Sequence, residues 1–225
     1  DVGRFEQIKR YNTFSDADSV DHARFGADLL FKDGLISTFL KGMVKCTGYK
    51  PGALEDRYGS DGVFLYDKLN KSDMEMLELA IRCHNMYRIP QGLNRREQAF
   101  CNVLRDADKV DIFKVNIDTP LEEIYNTTTE ELMKSDITDE VLEAFGEEHC
   151  ILKAIRRTPA DTVIGHVSLA YELVYDESVR ITVEQGYLGK LMHFHSDNEE
   201  TNRKMAMVRE KMDSYVKKRI GKKDA

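Results

Sequence analysis

Six histidines and one acidic stretch, Val103-Leu104-Arg105-Asp106-Ala107-Asp108-Lys109-Val110-Asp111-Ile112-Phe113, hold most of the side chains that could do chemistry in this sequence. At 3.6 residues per turn, Phe100, Leu104, Ala107, Asp111 and Val115 share one predicted stripe, and Asp108 falls among them. A carboxylate on a core-facing stripe is costly unless a charge or a metal meets it. His22 and His84 also fall on predicted helices, His84 on the apolar face of its own. A single histidine of this kind is more often a satisfied core residue, but two of them with Asp108 on a third helix resemble donors for a metal held between helices. Imidazole and carboxylate together suit zinc, iron or manganese. His193 and His195 lack a third donor nearby and read as surface or capping residues, while His149 and His166 suggest no function. There is no GxSxG elbow, no GxxxxGK phosphate loop and no HExxH. Cys83 and His84 are sequence neighbours, so on a helix they diverge and make a poor nucleophile pair.

The totals narrow the class. A chain of 225 residues suits one large domain or two small ones. Its net charge of −7 argues against a nucleic-acid polymer as partner. The basic run Lys217-Lys218-Arg219, with Lys222 and Lys223, suits the negative end of a helix dipole instead. Cys46, Cys83, Cys101 and Cys150 form no CxxC pair, so neither a zinc ribbon nor a disulfide framework is indicated. With no signal peptide and no long apolar run, the expectation is a cytoplasmic protein without a membrane partner.

Helix signals dominate. One helix is predicted from about Val20 to Phe31, broken at Gly34. An apolar pattern resumes from Leu35 to Val44, and residues 47 to 71 read mostly as loop. Ser72-Asp73-Met74-Glu75 reads as a capping box. The helix carrying the acidic stretch should run from about Asn94 to Val115. Thr119-Pro120, Thr128 with Glu131, and Thr138 each start a short helix, the last stopping at Gly146. Thr158-Pro159 opens a helix expected to reach Asp176, and Ser196 with Glu199 opens the last. Arg180-Ile181-Thr182-Val183 is the best strand candidate. The expectation is one all-α domain of roughly eight helices, with the chemistry in residues 1–116 and a helical C-terminal part over 117–225.

With these residues in view, the sequence resembles the HD-domain superfamily of helical metal-dependent phosphohydrolases. Asp1-Val2-Gly3-Arg4-Phe5 matches the family's naming His-Asp motif from its aspartate onward. His22 in Val20-Asp21-His22, His84 in Cys83-His84-Asn85 and Asp108 in Asp106-Ala107-Asp108-Lys109 follow in family order. The resemblance implies an HD-like fold and divalent metal ions, two in number and drawn from Mn, Fe, Zn or Mg, with Asp1, His22, His84 and Asp108 as ligands. It implies hydrolysis of a phosphate ester or anhydride, with a nucleotide as the expected substrate, through a metal-activated water. Arg4 and Lys109 are then the catalytic residues that neutralise phosphate charge. Arg88 is a further substrate contact, and Asp111 supports a ligand from behind. Asn85 stands where the cyclic-dinucleotide branch has a second histidine, and Met86 to Gly92 lacks that branch's Gly-Tyr-Pro, which argues against it. The alternatives are a binuclear-iron oxygenase of the same fold, or a non-catalytic member that binds a nucleotide or a partner. The family's first ligand histidine and the motif's own histidine would precede Asp1. Either these 225 residues are a fragment, which is the expectation and implies weaker metal binding than in the intact protein, or the site has lost two ligands.

Overall fold

The structure is a computed structural model that describes residues 1–38 and 71–221. Every regular element among the described residues is a helix, and none is long and apolar enough to cross a membrane. The apolar stretch from Leu35 to Val44 and the loop expected over 47 to 71 lie mostly outside the described residues. The chain forms two compact units, Asp1–Leu104 and Arg105–Ala225.

In the first unit, α1 (Val2–Tyr11) opens on Asp1, whose carboxylate accepts a hydrogen bond from the Arg4 backbone N–H and caps the helix. Asp21 caps α2 (His22–Ala27) in the same way through the Arg24 N–H. The helix then widens into a π-helical turn, Asp28–Lys32. α1 and α2 cross at two glycines. A Cβ on Gly3 would lie 2.0 Å from the His22 carbonyl oxygen and 2.7 Å from the Gly26 nitrogen, so the residue types at this crossing decide whether the helices can meet. Ala23 and Ala27 are completely buried. α3 (Lys71–Cys83) already includes Ser72, which therefore lies within the helix rather than ahead of it. Its Arg82 guanidinium bonds Asp28 at 2.6 Å and Glu78 at 2.7 Å, tying α3 to the end of α2.

α4 (Arg95–Asp118) begins in the first unit and continues into the second. The predicted stripe on it is wrong. Phe100 is 40% exposed and Ala107 and Asp111 are exposed, while Cys101, Arg105, Asp106, Lys109, Val110, Phe113 and Asn116 are buried. Asp106, not Asp108, is the buried carboxylate, and no metal is needed to explain it. It accepts hydrogen bonds from the backbone N–H groups of Val174 and Tyr175 at 2.9 to 3.0 Å, just ahead of α9 (Asp176–Gln185). Its negative charge there also suits the helix N-terminus. Removing this carboxylate strands two backbone donors. Asp106→Ala should destabilise the second unit by about 3 kcal/mol, read as a lower urea midpoint; an unchanged midpoint would show that water replaces the carboxylate without loss.

The remaining elements are α5 (Leu121–Tyr125), α6 (Thr129–Lys134), α7 (Asp139–Gly146), α8 (Pro159–Val167), α10 (Tyr187–Met192) and α11 (Glu199–Ile220). Capping boxes form at Thr128 and Thr158 as their sequences indicate. Thr138 precedes α7, but its hydroxyl reaches Asp161, a fully buried carboxylate that also accepts the Thr138, Arg157 and Thr158 backbone N–H groups. Three details differ from expectation. The proposed strand Arg180 to Val183 is the middle of α9. The Thr158 helix ends at Val167 and tightens into a 3-10 turn, Ser168–Glu172. Asn198 rather than Ser196 caps α11, and the Ser196 hydroxyl donates to the Met133 carbonyl instead. The core packs Phe113, Leu132, Ile137, Phe145, Ile151 and Ile164 with Met205 and Met212 of α11. Cys83, Cys101 and Cys150 are buried.

His166 lies against Tyr125, and its Nδ1 is shielded from solvent without a hydrogen-bond partner. Burial, aided by the positive charges of Arg156 and Lys153, pushes its pKa down to about 3. The unfolded chain therefore takes up this proton first, so stability falls as pH drops below about 6.5 and continues to fall toward about 3. The loss between pH 7.5 and 5 should be about 2 kcal/mol for this group. His166→Gln should flatten that part of the stability profile; an equally steep profile would assign the proton elsewhere.

Candidate metal centre

Three side chains of the first unit converge. Asp1 sits at the start of α1 with one carboxylate oxygen on the Arg4 N–H. Its other oxygen lies 3.3 Å from Nε2 of His22 and 3.4 Å from Nε2 of His84. The two Nε2 atoms are 3.2 Å apart, with the rings edge to face. His22 is the first residue of α2 and His84 follows the end of α3, so helix termini rather than helix middles supply the cluster. Both histidines are buried.

The proton positions follow from the outer nitrogens. Nδ1 of His84 is 2.7 Å from the Ile81 carbonyl oxygen, which can only accept. Nδ1 of His22 is 2.8 Å from both oxygens of Asp16. Burial pushes the Asp16 carboxyl up, but hydrogen bonds from His22 and Gln7 and the charge of Arg4 outweigh it and hold the group well below the usual carboxylate range. In its neutral form each ring therefore carries its proton on Nδ1. In that form two imidazole lone pairs and a carboxylate oxygen face one another, an arrangement that a cation would satisfy. A shared proton links two such atoms, whereas here all three are nearly equidistant. Ligands about 2.0–2.1 Å from a tetrahedral zinc are separated by about 3.3–3.4 Å, so the triangle has the edge length of a metal site with one position left open. The donor set fits a divalent transition ion.

Arg4 stands beside this triangle. One guanidinium nitrogen is 2.8 Å from Nδ1 and 3.2 Å from Nε2 of His22. An atom in line with one ring nitrogen lies far from the other, so Arg4 stacks on the ring instead of bonding its edge. Its second nitrogen reaches Gln7, the Phe14 carbonyl and Asp16.

Among the described residues, the structure thus gathers Asp1, His22 and His84 into one three-donor group, with Arg4 adjacent. Asp108, Lys109 and Asp111 belong to the second unit, on α4. Asp108 is half-buried and Asp111 exposed. Lys109 is buried, and its ammonium makes a long 3.5 Å bond to the Arg105 carbonyl. Burial, helped by the Arg105 charge, pushes its pKa down. Arg88 is exposed in the turn after α3 and lies over the Tyr87 ring. Asp16 and Gln7 were not among the sequence candidates, and Asn85 stood there only in the place of a second histidine. Asp16 lies in a polar loop without periodicity, and the short spacing to His22 was its only signal.

No protein-family model, no curated protein and no solved structure matches this chain.

Proposed function

We propose that this chain is a metal-dependent phosphohydrolase of the HD-domain type, acting on a phosphate ester or anhydride such as that of a nucleotide. The observation that carries this reading is the triangle of Asp1, His22 and His84, whose free lone pairs meet at metal-ligand spacing. A divalent ion held there would lower the pKa of its water toward about 7 and polarise phosphate oxygens. The chain's own residues bind and orient that ion, and Arg4 adds positive charge beside it. Asp108 as a further ligand, Lys109 and Arg88 as phosphate contacts and Asp111 as support belong to the proposal through family resemblance, as does a second ion. Cytoplasmic placement is part of the same reading. The test is metal analysis of the purified protein followed by a phosphate-release screen over nucleotides with Mn, Fe, Zn and Mg. Absence of bound metal under all four conditions would end it.

One observation favours a second reading. Two histidines and one carboxylate are the donor set of non-haem iron oxygenases. Tightly held iron, oxygen consumption and no phosphate release would select that chemistry.

A further inference from the structure

Asp16 lies at the centre of the first unit's polar contacts. One of its oxygens accepts from Arg4 and from the amide of Gln7, a side chain of α1 with no exposure. The other lies 3.3 Å from the Asn85 amide nitrogen, and both oxygens are 2.8 Å from His22 Nδ1. Asn85 also donates to Asp21, the cap of α2, and it is the residue next to His84. A single carboxylate therefore joins α1, the start of α2 and the exit of α3, the three places that supply Asp1, His22 and His84.

We infer that Asp16 is a positioning residue: it holds the His22 proton on Nδ1, turns the Nε2 lone pair toward Asp1 and His84, and through Asn85 couples the placement of the two histidines. The metal-binding part of this inference rests on the function proposed above, while the tautomer does not. An acceptor-only group beside Nδ1 leaves the ring one neutral form that satisfies both nitrogens. A carboxylate behind a ligating histidine also fixes the ring's orientation and raises its basicity, and loss of such a partner weakens metal binding by about 10–100-fold. Arg4, stacked on the same ring and bonded to Asp16, offsets the carboxylate's charge without competing for the ring proton.

Asparagine at this position keeps the shape but replaces one acceptor oxygen with a donor, so Nδ1–H is no longer the one neutral form that its partner satisfies. The experiment compares wild type with Asp16→Asn by 15N shifts of the histidine ring nitrogens in metal-free protein, by calorimetric titration with zinc and manganese, and by thermal melting. The expected result is an Nδ1–H tautomer for His22 in wild type, lost or mixed in Asp16→Asn. His84 should be unchanged, zinc affinity should be about 10–100-fold weaker and the fold should be retained. An Nε2–H tautomer in wild type, or an unchanged tautomer and affinity in Asp16→Asn, overturns the inference. If wild type binds neither ion yet its His22 tautomer still responds to Asp16→Asn, the metal reading fails and the positioning of His22 by Asp16 stands. Should Asp16→Asn not fold, Asn85→Ala loosens the same carboxylate. A smaller loss of zinc affinity is then expected, and unchanged affinity overturns the inference.

Discussion

Gly3→Ala is expected to unfold the first unit or force its two N-terminal helices apart, and with them the candidate metal centre. The added Cβ would sit 2.0 Å from the His22 carbonyl oxygen and 2.7 to 2.8 Å from the backbone of Gly26. All three obstacles are main chain, so no rotamer change relieves the clash. Ordinary overpacking costs about 1–3 kcal/mol because side chains yield; here the helices themselves must move, and the loss should exceed that range. The obstructing carbonyl belongs to His22 itself, so any separation of α1 from α2 also moves Asp1 away from the ring it faces. Gly26→Ala is a graded comparison: its Cβ would meet the Gly3 backbone at 3.0 to 3.1 Å, a smaller shift and a smaller loss. Gly146→Ala, with nothing within 4 Å, should be nearly silent. Urea melts of the three variants order them, and a wild-type midpoint for Gly3→Ala would refute the close crossing.

His84→Ala is expected to weaken zinc or manganese binding by more than the roughly 100-fold reached by loss of a supporting partner, because it removes one of three converging donors. The same substitution relieves the clustering of lone pairs in metal-free protein, where Nε2 of His84 faces Nε2 of His22 at 3.2 Å and Asp1 at 3.4 Å. Its effect on metal-free stability should therefore be smaller than burial of the ring suggests. Calorimetric titration gives the affinity and melting without metal gives the stability. Equal metal affinity in His84→Ala and wild type would falsify the three-donor site, whatever the activity.

The helical architecture was legible in residue patterns. Capping signals at Thr128, Thr158 and Thr138 and the stop at Gly146 all mark helices that the structure contains. These signals are local, arising within one turn of chain, and local physics suffices to form them. The α4 stripe failed for a physical reason. The buried side of that helix carries Arg105, Asp106, Lys109 and Asn116, so counting apolar residues selected the wrong face. The stretch from Arg180 to Val183, with β-branched Ile181, Thr182 and Val183, looked like a strand, but Val179 and Thr182 pack inward one turn apart on α9, and tertiary packing overrode the propensity.

Of the candidate centre, His22 and His84 could be named from residue type and pattern, and Asp108 with them, while Asp1 came only through the family resemblance. Their meeting could not. It depends on two glycines whose absent side chains let α1 touch α2, and on Asp16, whose bonds to Gln7, His22 and Asn85 span as many as 69 positions of sequence separation. Such contacts leave no period and no spacing to read. The sequence by itself therefore determined an all-helical chain and the residue types able to hold a metal. Only the tertiary structure decided that three of them share one point, which carboxylate orients His22, and that the buried acid of α4 is Asp106 on a backbone rather than Asp108 in the core. Periodicity reports how one helix meets an average interior, whereas a site is made of particular atoms that distant segments bring together.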